Sequence, residues 1–309
     1  MPAVSKVGIE EAMEVRAVLA CTAALPAGAG ELKITRLPSL TNRTYLVERG
    51  GGASGGAYVL RLPGKGTELY IDRESEAANA RAAASVGLAP AILHADPASG
   101  VMLSRYVAGA EPLSPECLRE PDHFRAAIGL LRRLHGSGLA FRGEMRLYPK
   151  LDQYLALGGT PALKDLRRAG EDLRPLIERG WGPLTPCHID PAPHNFIAAG
   201  ARHFLLDWEY AAMCQPLWDL AGLSIEGRFD RAHDSAMLAL YFGEASGAWM
   251  SRLHIYRIML RLVAAAWGAV QIAMGNGRWT AEALIDPLVA ASAADLASPD
   301  LGHHLEAAA

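Results

Sequence analysis

Between Cys187 and Phe196 the chain reads CHIDPAPHNF, where two histidines, an aspartate and an asparagine surround two prolines. Three chemistries could use that mixture. His188, Asp190 and His194 could offer two imidazoles and a carboxylate to the metal of a hydrolase. A histidine could act as a base, or the loop could present a carboxylate to a reacting hydroxyl. Pro191 and Pro193 forbid a continuing helix, so the i, i+4 geometry that aligns two histidines in an HExxH site is not available. A histidine base would need a nucleophile, and no GxSxG elbow accompanies it.

Downstream lies FLLDWEY, Phe204 to Tyr210, an apolar run that ends abruptly in Asp207 and Glu209. This predicts a strand ending in carboxylates. Together the two segments spell HxDxxxxN followed by a strand-end aspartate, the order of a kinase catalytic loop and its metal site. In that chemistry Asp190 takes the proton of an attacking hydroxyl, while Asn195 and Asp207 supply the hard oxygens that magnesium prefers.

The elements around these residues read consistently. KITRLP and RTYLVE predict a hairpin turning at PSLTN. AYVLRLP, beyond the glycine run at Gly50 to Gly56, predicts a third strand. Asp72 is placed to cap a helix through ESEAANARAAASV that stops at Gly87, and AILHAD and GVMLSRYV predict two more strands. A first helix is expected from about Ile9 to Ala23. Past Gly109 the spacing becomes helical, in FRAAIGLLRRLHGSG, LDQYLALG, LKDLRRAGEDLRPLIER and the residues from Asp219 onward. The fold class is therefore α+β, with a small antiparallel sheet bearing one inserted helix over residues 1–108 and a mainly helical domain over 109–309. The closing GHHLEAAA is expected to be a frayed or appended end.

With 309 residues, 50% hydrophobic content and a formal net charge of −3, the chain can bury sizeable cores but offers no basic field for nucleic acid or anionic membrane. Its four scattered cysteines, without a CxxC pair, suit reduced thiols of a cytoplasmic protein. The charged N-terminal helix is unlike a signal peptide. LVAAAWGAVQIAM, Leu262 to Met274, is too short to cross a bilayer and is expected to be a buried helix, with no membrane insertion.

Several further motifs resemble the choline/ethanolamine kinase branch of the aminoglycoside phosphotransferase-like kinases. They are LTNRTYLV (Leu40 to Val47), VLRLPGKGTELYIDRESEAAN (Val59 to Asn79), APAIL, VMLSRYVAG (Val101 to Gly109), HIDPAPHNF, LLDWEYAAMCQPLWDLA (Leu205 to Ala221) and AWGAVQ (Ala266 to Gln271). The resemblance implies a protein-kinase-like bilobal fold that binds ATP between its lobes and transfers the terminal phosphoryl group to an alcohol. It makes Asp190 the catalytic aspartate and Asn195 and Asp207 the magnesium ligands, with Glu209 assisting a second metal or the substrate. His188 would brace the loop, and Asp219 would tie it to the helical lobe. Arg61 stands where protein kinases carry a phosphate-binding lysine, and its ion-pair partner would be Glu76 or, with a shifted alignment, Glu74. Ser39, Thr41 and Asn42 would cover the ATP phosphates, although Pro38, Ser39 and Leu40 replace the glycines usual there. The backbone of Arg105 and Val107 would meet the adenine.

The same resemblance points to choline or ethanolamine as acceptor, because a quaternary ammonium is held by aromatic faces and nearby acids. Glu226, Phe229, Trp267 and Trp279 are the candidates, with Trp249 and Tyr256 also in the helical half, while Ala264 stands where relatives place another cage tryptophan. Thiamine or an aminoglycoside would use the same phosphoryl machinery, and a catalytically silent nucleotide-binding protein is the alternative of a different class. The expected partner is a small-molecule alcohol, and the resemblance allows a homodimer.

Overall fold

The computed structural model describes residues 5–22, 31–39, 41–50, 56–276 and 280–309. Leu40 of the PSLTN turn, residues 51–55 of the glycine run, and the candidate Trp279 lie outside the described residues. The chain divides into two compact units: Met1–Pro112 with Ile197–Ala211, and Leu113–Phe196 with Ala212–Ala309.

The first unit is built on a six-stranded sheet, antiparallel at every pairing, in the order β1-β2-β3-β4-β6-β5. Its strands are β1 (Ser5–Lys6), β2 (Leu32–Leu37), β3 (Arg43–Arg49), β4 (Gly56–Leu62), β5 (Ile92–Asp96) and β6 (Val101–Arg105). Alternation along the strands decides which face each residue takes. Tyr45 and Val47 of β3, Tyr58, Leu60 and Leu62 of β4, and Val101 and Leu103 of β6 form one apolar cluster with Val15 and Leu19 of helix α1 (Ile9–Thr22). Polar contacts fix the register of α1 on the sheet: Tyr45 donates to Glu11 (2.6 Å), Arg36 pairs with Glu11 and Arg43 with Glu14. The odd-numbered Val59 and Arg61 of β4 are thereby turned to the opposite face.

Helix α2 (Arg73–Ser85) starts where the sequence predicts, because Asp72 accepts from the backbone N–H groups of Glu74 and Ser75. It ends with Leu88 N–H bonded to Ala83 C=O around Gly87, whose φ of 72° is the left-handed conformation a glycine adopts freely. The segment 197–211 joins this unit through the backbone. Phe196–Ala199 pairs with β7 (Glu111–Pro112) at Glu111↔Ala198 and Pro112↔Ile197, and Leu205 N–H donates to Leu88 C=O.

In the second unit helices α3 (Pro115–Arg119), α4 (Pro121–His135), α5 (Leu147–Gly158), α6 (Pro161–Ala169) and α7 (Arg174–Arg179) precede a two-stranded ribbon. The ribbon pairs Thr185–Cys187 with Ala212–Cys214. There follow α8 (Pro216–Glu226), α9 (Arg231–Phe242), α10 (Gly247–Ala273), α11 (Ala281–Leu284), α12 (Asp286–Leu296) and α13 (Leu301–Ala308). The stretch LKDLRRAGEDLRPLIER is broken at Gly170, so α6 and α7 are joined by a 3-10 turn instead of forming one helix.

The buried helix expected at Leu262–Met274 is present as part of a longer element, and the expectation for the closing residues is corrected. LVAAAWGAVQIAM is the second half of α10, whose 27 residues are long and apolar enough to cross a membrane, yet 72% of its most apolar window is buried inside the protein. Its Arg257 and Arg261 are held by Asp234 and Asp295, and it packs against α5, α8, α12 and α13. GHHLEAAA is not frayed. It lies in α13, where Ala308 is fully buried and its carbonyl accepts from Trp181 Nε1 (2.8 Å) and Arg252 Nε (3.1 Å).

Asp72→Ala removes the side-chain acceptor at the start of α2 and is expected to cost about 1 kcal/mol in urea unfolding, with an unchanged denaturant slope.

Candidate active site

In the first unit, Arg61 is turned away from the apolar cluster and toward α2, and its guanidinium meets three carboxylates. Nη1 forms an ion pair with Glu76 Oε1, donates to Asp207 Oδ1 (3.2 Å) and lies 3.6 Å from Glu209 Oε2. The partner on α2 is therefore Glu76, not Glu74. Glu76 shares its other oxygen, Oε2, with Arg73 Nη1 (2.7 Å). Burial alone would raise the Glu76 carboxyl, but Arg61 and Arg73 outweigh it and hold it below its ordinary value. Burial likewise opposes the Arg61 charge, and Glu76, Asp207 and Glu209 together keep that group protonated.

Arg61 is not saturated by these contacts. Its Nε and Nη2 are buried and have no hydrogen-bond partner among the described residues. Two orphaned donor nitrogens on a buried guanidinium fit an anion with several oxygens, such as a phosphate, which would relieve their desolvation cost. Glu76, Asp207 and Glu209 each present an oxygen within 4.8 Å of the others, a donor set that fits a hard divalent cation.

Backbone and turn place those acids. The strand before them, Arg202–Leu205, ends two residues earlier than FLLDWEY suggests, and Asp207 stands in the following turn with a φ of 61°. A left-handed aspartate is uncommon and re-aims its carboxylate relative to a strand continuation. Ala211, at the end of the same segment, accepts from Asn79 of α2 (2.7 Å). Asn42 Nδ2 donates to Glu209 Oε2 (3.0 Å), while its Oδ1 accepts from Gly64 N–H (3.2 Å), so the turn between β2 and β3 is tied to the carboxylates. Gly64 is required there: a Cβ would fall 1.9 Å from Thr41 C=O. Ser39 closes the turn by donating to Asn42 C=O. Glu209 is pushed up to about 8 by burial first and by the Asp207 carboxylate second, against the opposing pull of Arg61.

In the second unit the CHIDPAPHNF loop is held by its backbone. Asp219, at the start of α8, accepts from the N–H groups of both His188 and Ile189 (2.7 Å each). Trp218 Nε1 donates to Ile189 C=O (2.9 Å). This clamp supports Ile189 at a φ of 74°, a strained conformation for a β-branched residue. Asp190 follows directly. The prolines act locally: Pro193 opens a 3-10 turn to Asn195, and Pro191 packs against Gly222 of α8. Asn195 Nδ2 donates to the carbonyl (2.9 Å) and carboxylate (3.2 Å) of Asp190, leaving its Oδ1 as the atom for a hard cation. His188 is fully buried.

Sequence patterns gave no sign of His135, which bridges Asp219 (2.9 Å) and Tyr241 (2.6 Å). Burial opposes its charge, but Cys187 and Asp219 raise it to about 10. The grouping His135–Cys187–Asp219 is tight enough to be considered for a metal, yet its atoms already satisfy one another and backbone N–H groups. Among the described residues neither such grouping contains His188, Asp190 or His194, so the nitrogen-rich cage is not formed.

The remaining candidates are dispersed. Arg105 ends β6 with its N–H donated to Ala91 C=O and its guanidinium over the Tyr58 ring, and Val107 C=O accepts from Ala110. Phe229 is buried against Phe124 and His233, Glu226 is exposed at the end of α8, and Trp267 is half-buried on α10. Trp249 stacks on Phe242 at 3.7 Å, and Tyr256 packs on Trp181. Phe229 and Trp249 thus belong to separate aromatic clusters.

Comparison with known proteins identifies the family of the chain. A model of the phosphotransferase enzyme family matches residues 33–255. The crystal structure of a choline/ethanolamine kinase family protein from Mesorhizobium loti is 37% identical, with a TM-score of 0.80, covering 96% of this chain and 98% of that one. The choline kinase LicA from Streptococcus pneumoniae shares the fold at 23% identity and a TM-score of 0.72, over 96% of this chain and 99% of its own. Protein LicA of Haemophilus influenzae is 28% identical over 223 residues, 70% of this chain, and the match spans 64% of that relative's length.

Glu209 generates a pH-dependent prediction. Its folded value of about 8 exceeds the ordinary 4.5, so the folded chain keeps a proton that the unfolded chain releases. Stability is therefore lost as pH rises from 4.5 towards 8. Glu209→Gln is expected to remove that loss and to raise the thermal midpoint of the metal-free protein by a few degrees at alkaline pH, with no gain at acid pH, as read by calorimetry.

Proposed function

The chain belongs to the phosphotransferase enzyme family, with its protein-kinase-like α+β fold, and from that premise we propose that it is an ATP- and magnesium-dependent kinase of a small amino alcohol, choline or ethanolamine. The observation that carries the reading is the buried Arg61. It is anchored by Glu76 with two donor nitrogens unspent among the described residues, beside the carboxylates of Asp207 and Glu209. The names of the relatives, choline/ethanolamine kinase family protein and LicA choline kinase, support the acceptor class.

In this reading Arg61 grips phosphate oxygens through its unspent edge, and Ser39, Thr41 and Asn42 form the turn nearest the phosphates. Asn195 Oδ1, Asp207 and Glu209 are the oxygens that would hold magnesium, which, when bound, neutralises phosphate charge and fixes its orientation. Arg105 C=O and Val107 N–H are the backbone groups for the adenine edge, since Arg105 N–H and Val107 C=O are already used. Asp190 accepts the proton of the acceptor hydroxyl. Its orientation comes from Asn195 on one side and from the Asp219 clamp on the preceding two residues. Glu226, Phe229, Trp267 and Trp279 are the proposed acceptor-side residues. The proposal further takes the protein as cytoplasmic, acting on a small molecule without nucleic acid or membrane insertion, and compatible with a homodimer.

The test is ADP release from ATP and magnesium across choline, ethanolamine, thiamine and an aminoglycoside. Acceptor-dependent turnover with an amino alcohol is expected, and no acceptor-dependent turnover would refute the reading. Asp190→Asn keeps the shape but cannot take a proton, so kcat should fall by about 100- to 10,000-fold with ADP affinity retained. Undiminished turnover would remove Asp190 from its role.

A further inference from the structure

Arg73 opens α2, where a cation faces the positive end of the helix dipole. Local helix energetics therefore do not explain an arginine at this position; its partners do. Its side chain is only 11% exposed, and its planar head is spent on two elements at once. Nη1 donates to Glu76 Oε2 (2.7 Å) and lies 3.7 Å from Glu209 Oε2, while Nη2 donates to Thr67 Oγ1 (2.6 Å).

These contacts close a ring. Thr67 Oγ1 donates to Gly64 C=O (2.8 Å), Gly64 N–H donates to Asn42 Oδ1 (3.2 Å), and Asn42 Nδ2 donates to Glu209 Oε2 (3.0 Å), the oxygen that returns to Arg73. The ring joins the β2–β3 turn, the segment 64–67, α2 and Glu209. Its effect on Glu76 is specific. A carboxylate beside a buried guanidinium ordinarily settles into two-point pairing along the fork. Here Oε2 is claimed by Arg73, so Glu76 meets Arg61 through Oε1 at Nη1 alone, and among the described residues Arg61 Nε and Nη2 have no hydrogen-bond partner.

We infer that Arg73 is a positioning residue for nucleotide binding: by holding Oε2 of Glu76 it limits Glu76 to single-point pairing and reserves the Nε and Nη2 edge of Arg61 for phosphate. The inference rests on the kinase reading above. Without Arg73, Glu76 swings onto both nitrogens of Arg61, and phosphate has to compete with a carboxylate for the same donors. Arg73 touches neither substrate nor reacting atoms in this account, so it acts through its neighbours, chiefly the Glu76–Arg61 pair and, beside it, Glu209 at 3.7 Å.

The experiment is calorimetric titration of ADP with magnesium into the wild-type chain, Arg61→Met, Arg73→Met, the double variant and Arg73→Lys, with thermal midpoints recorded for each. Arg73→Met is expected to weaken ADP about tenfold. The double variant should bind little more weakly than Arg61→Met, because the main route of Arg73, the Nε and Nη2 edge of Arg61, is gone and only its contact with Glu209 remains. Arg73→Lys keeps one charge for Oε2 but loses the simultaneous bond to Thr67, and should recover part of the affinity. ADP binding by Arg73→Met within about twofold of wild type, or losses that multiply in the double variant, would overturn the inference. If Arg73→Met does not fold, Arg73→Lys decides: a several-fold loss that vanishes in the Arg61→Met background supports the role, and wild-type affinity overturns it. A wild-type chain that binds no ADP overturns the kinase reading and this inference together, whereas wild-type binding untouched by Arg73 variants overturns the inference alone.

Discussion

Burying the guanidinium of Arg61 is the constraint on which the first unit is organised. A permanent cation removed from water costs several kcal/mol unless opposite charges and hydrogen bonds replace the solvent. The strand alternation that buries Tyr58, Leu60 and Leu62 in one core directs Arg61 to the other face, so the compensation must come from there. Glu76 on α2 and the Asp207–Glu209 turn are assembled to provide it, with Asn42 holding Glu209 in place. The result is an acidic cluster with one raised carboxyl and a partly unsatisfied cation. Such an arrangement is poor for stability alone and suited to a phosphate with a divalent ion.

The second unit solves a parallel problem with backbone groups. Ile189 and Asp207 are both held at positive φ, at an expected cost of order 1–3 kcal/mol each, and both adjoin or bear a carboxylate assigned to the chemistry. Around Ile189 the clamp of Asp219 and Trp218 secures both its N–H and its C=O, with His135 and Tyr241 behind Asp219. Strain at the loop is thus supported by a buried polar chain, which explains why fully buried His188 and Asp219 stand in an otherwise apolar environment.

Much of this was legible in the residues themselves. The strand alternation and the Asp72 cap are local signals, and the elements they imply are the ones observed. The spacing from Asp190 through Asn195 to Asp207 is near-local too, but the strand expected to carry Asp207 ends at Leu205. The unread parts depend on long-range closure. Arg73 sits in a polar helix start that looks solvent-facing until Glu209, 136 positions away, closes the ring. The alanine-rich GHHLEAAA has weak apolar patterning, and its docking is specified by donors on Trp181 and Arg252 instead. The acceptor residues were least legible, because aromatics such as Trp249 and Tyr256 pack equally well against other rings and are used so.

On the proposed function, the carboxylates around Arg61 hold a cation and a phosphate, and Glu209 keeps its proton until they bind. Calorimetric titration of magnesium with ADP, run near neutral pH in buffers of different ionisation enthalpy, tests it directly by counting protons. A net release approaching one proton per complex is expected from Glu209, declining as pH rises past about 8 and absent in Glu209→Gln. Tight binding with no proton release, or the same release from Glu209→Gln, would contradict it.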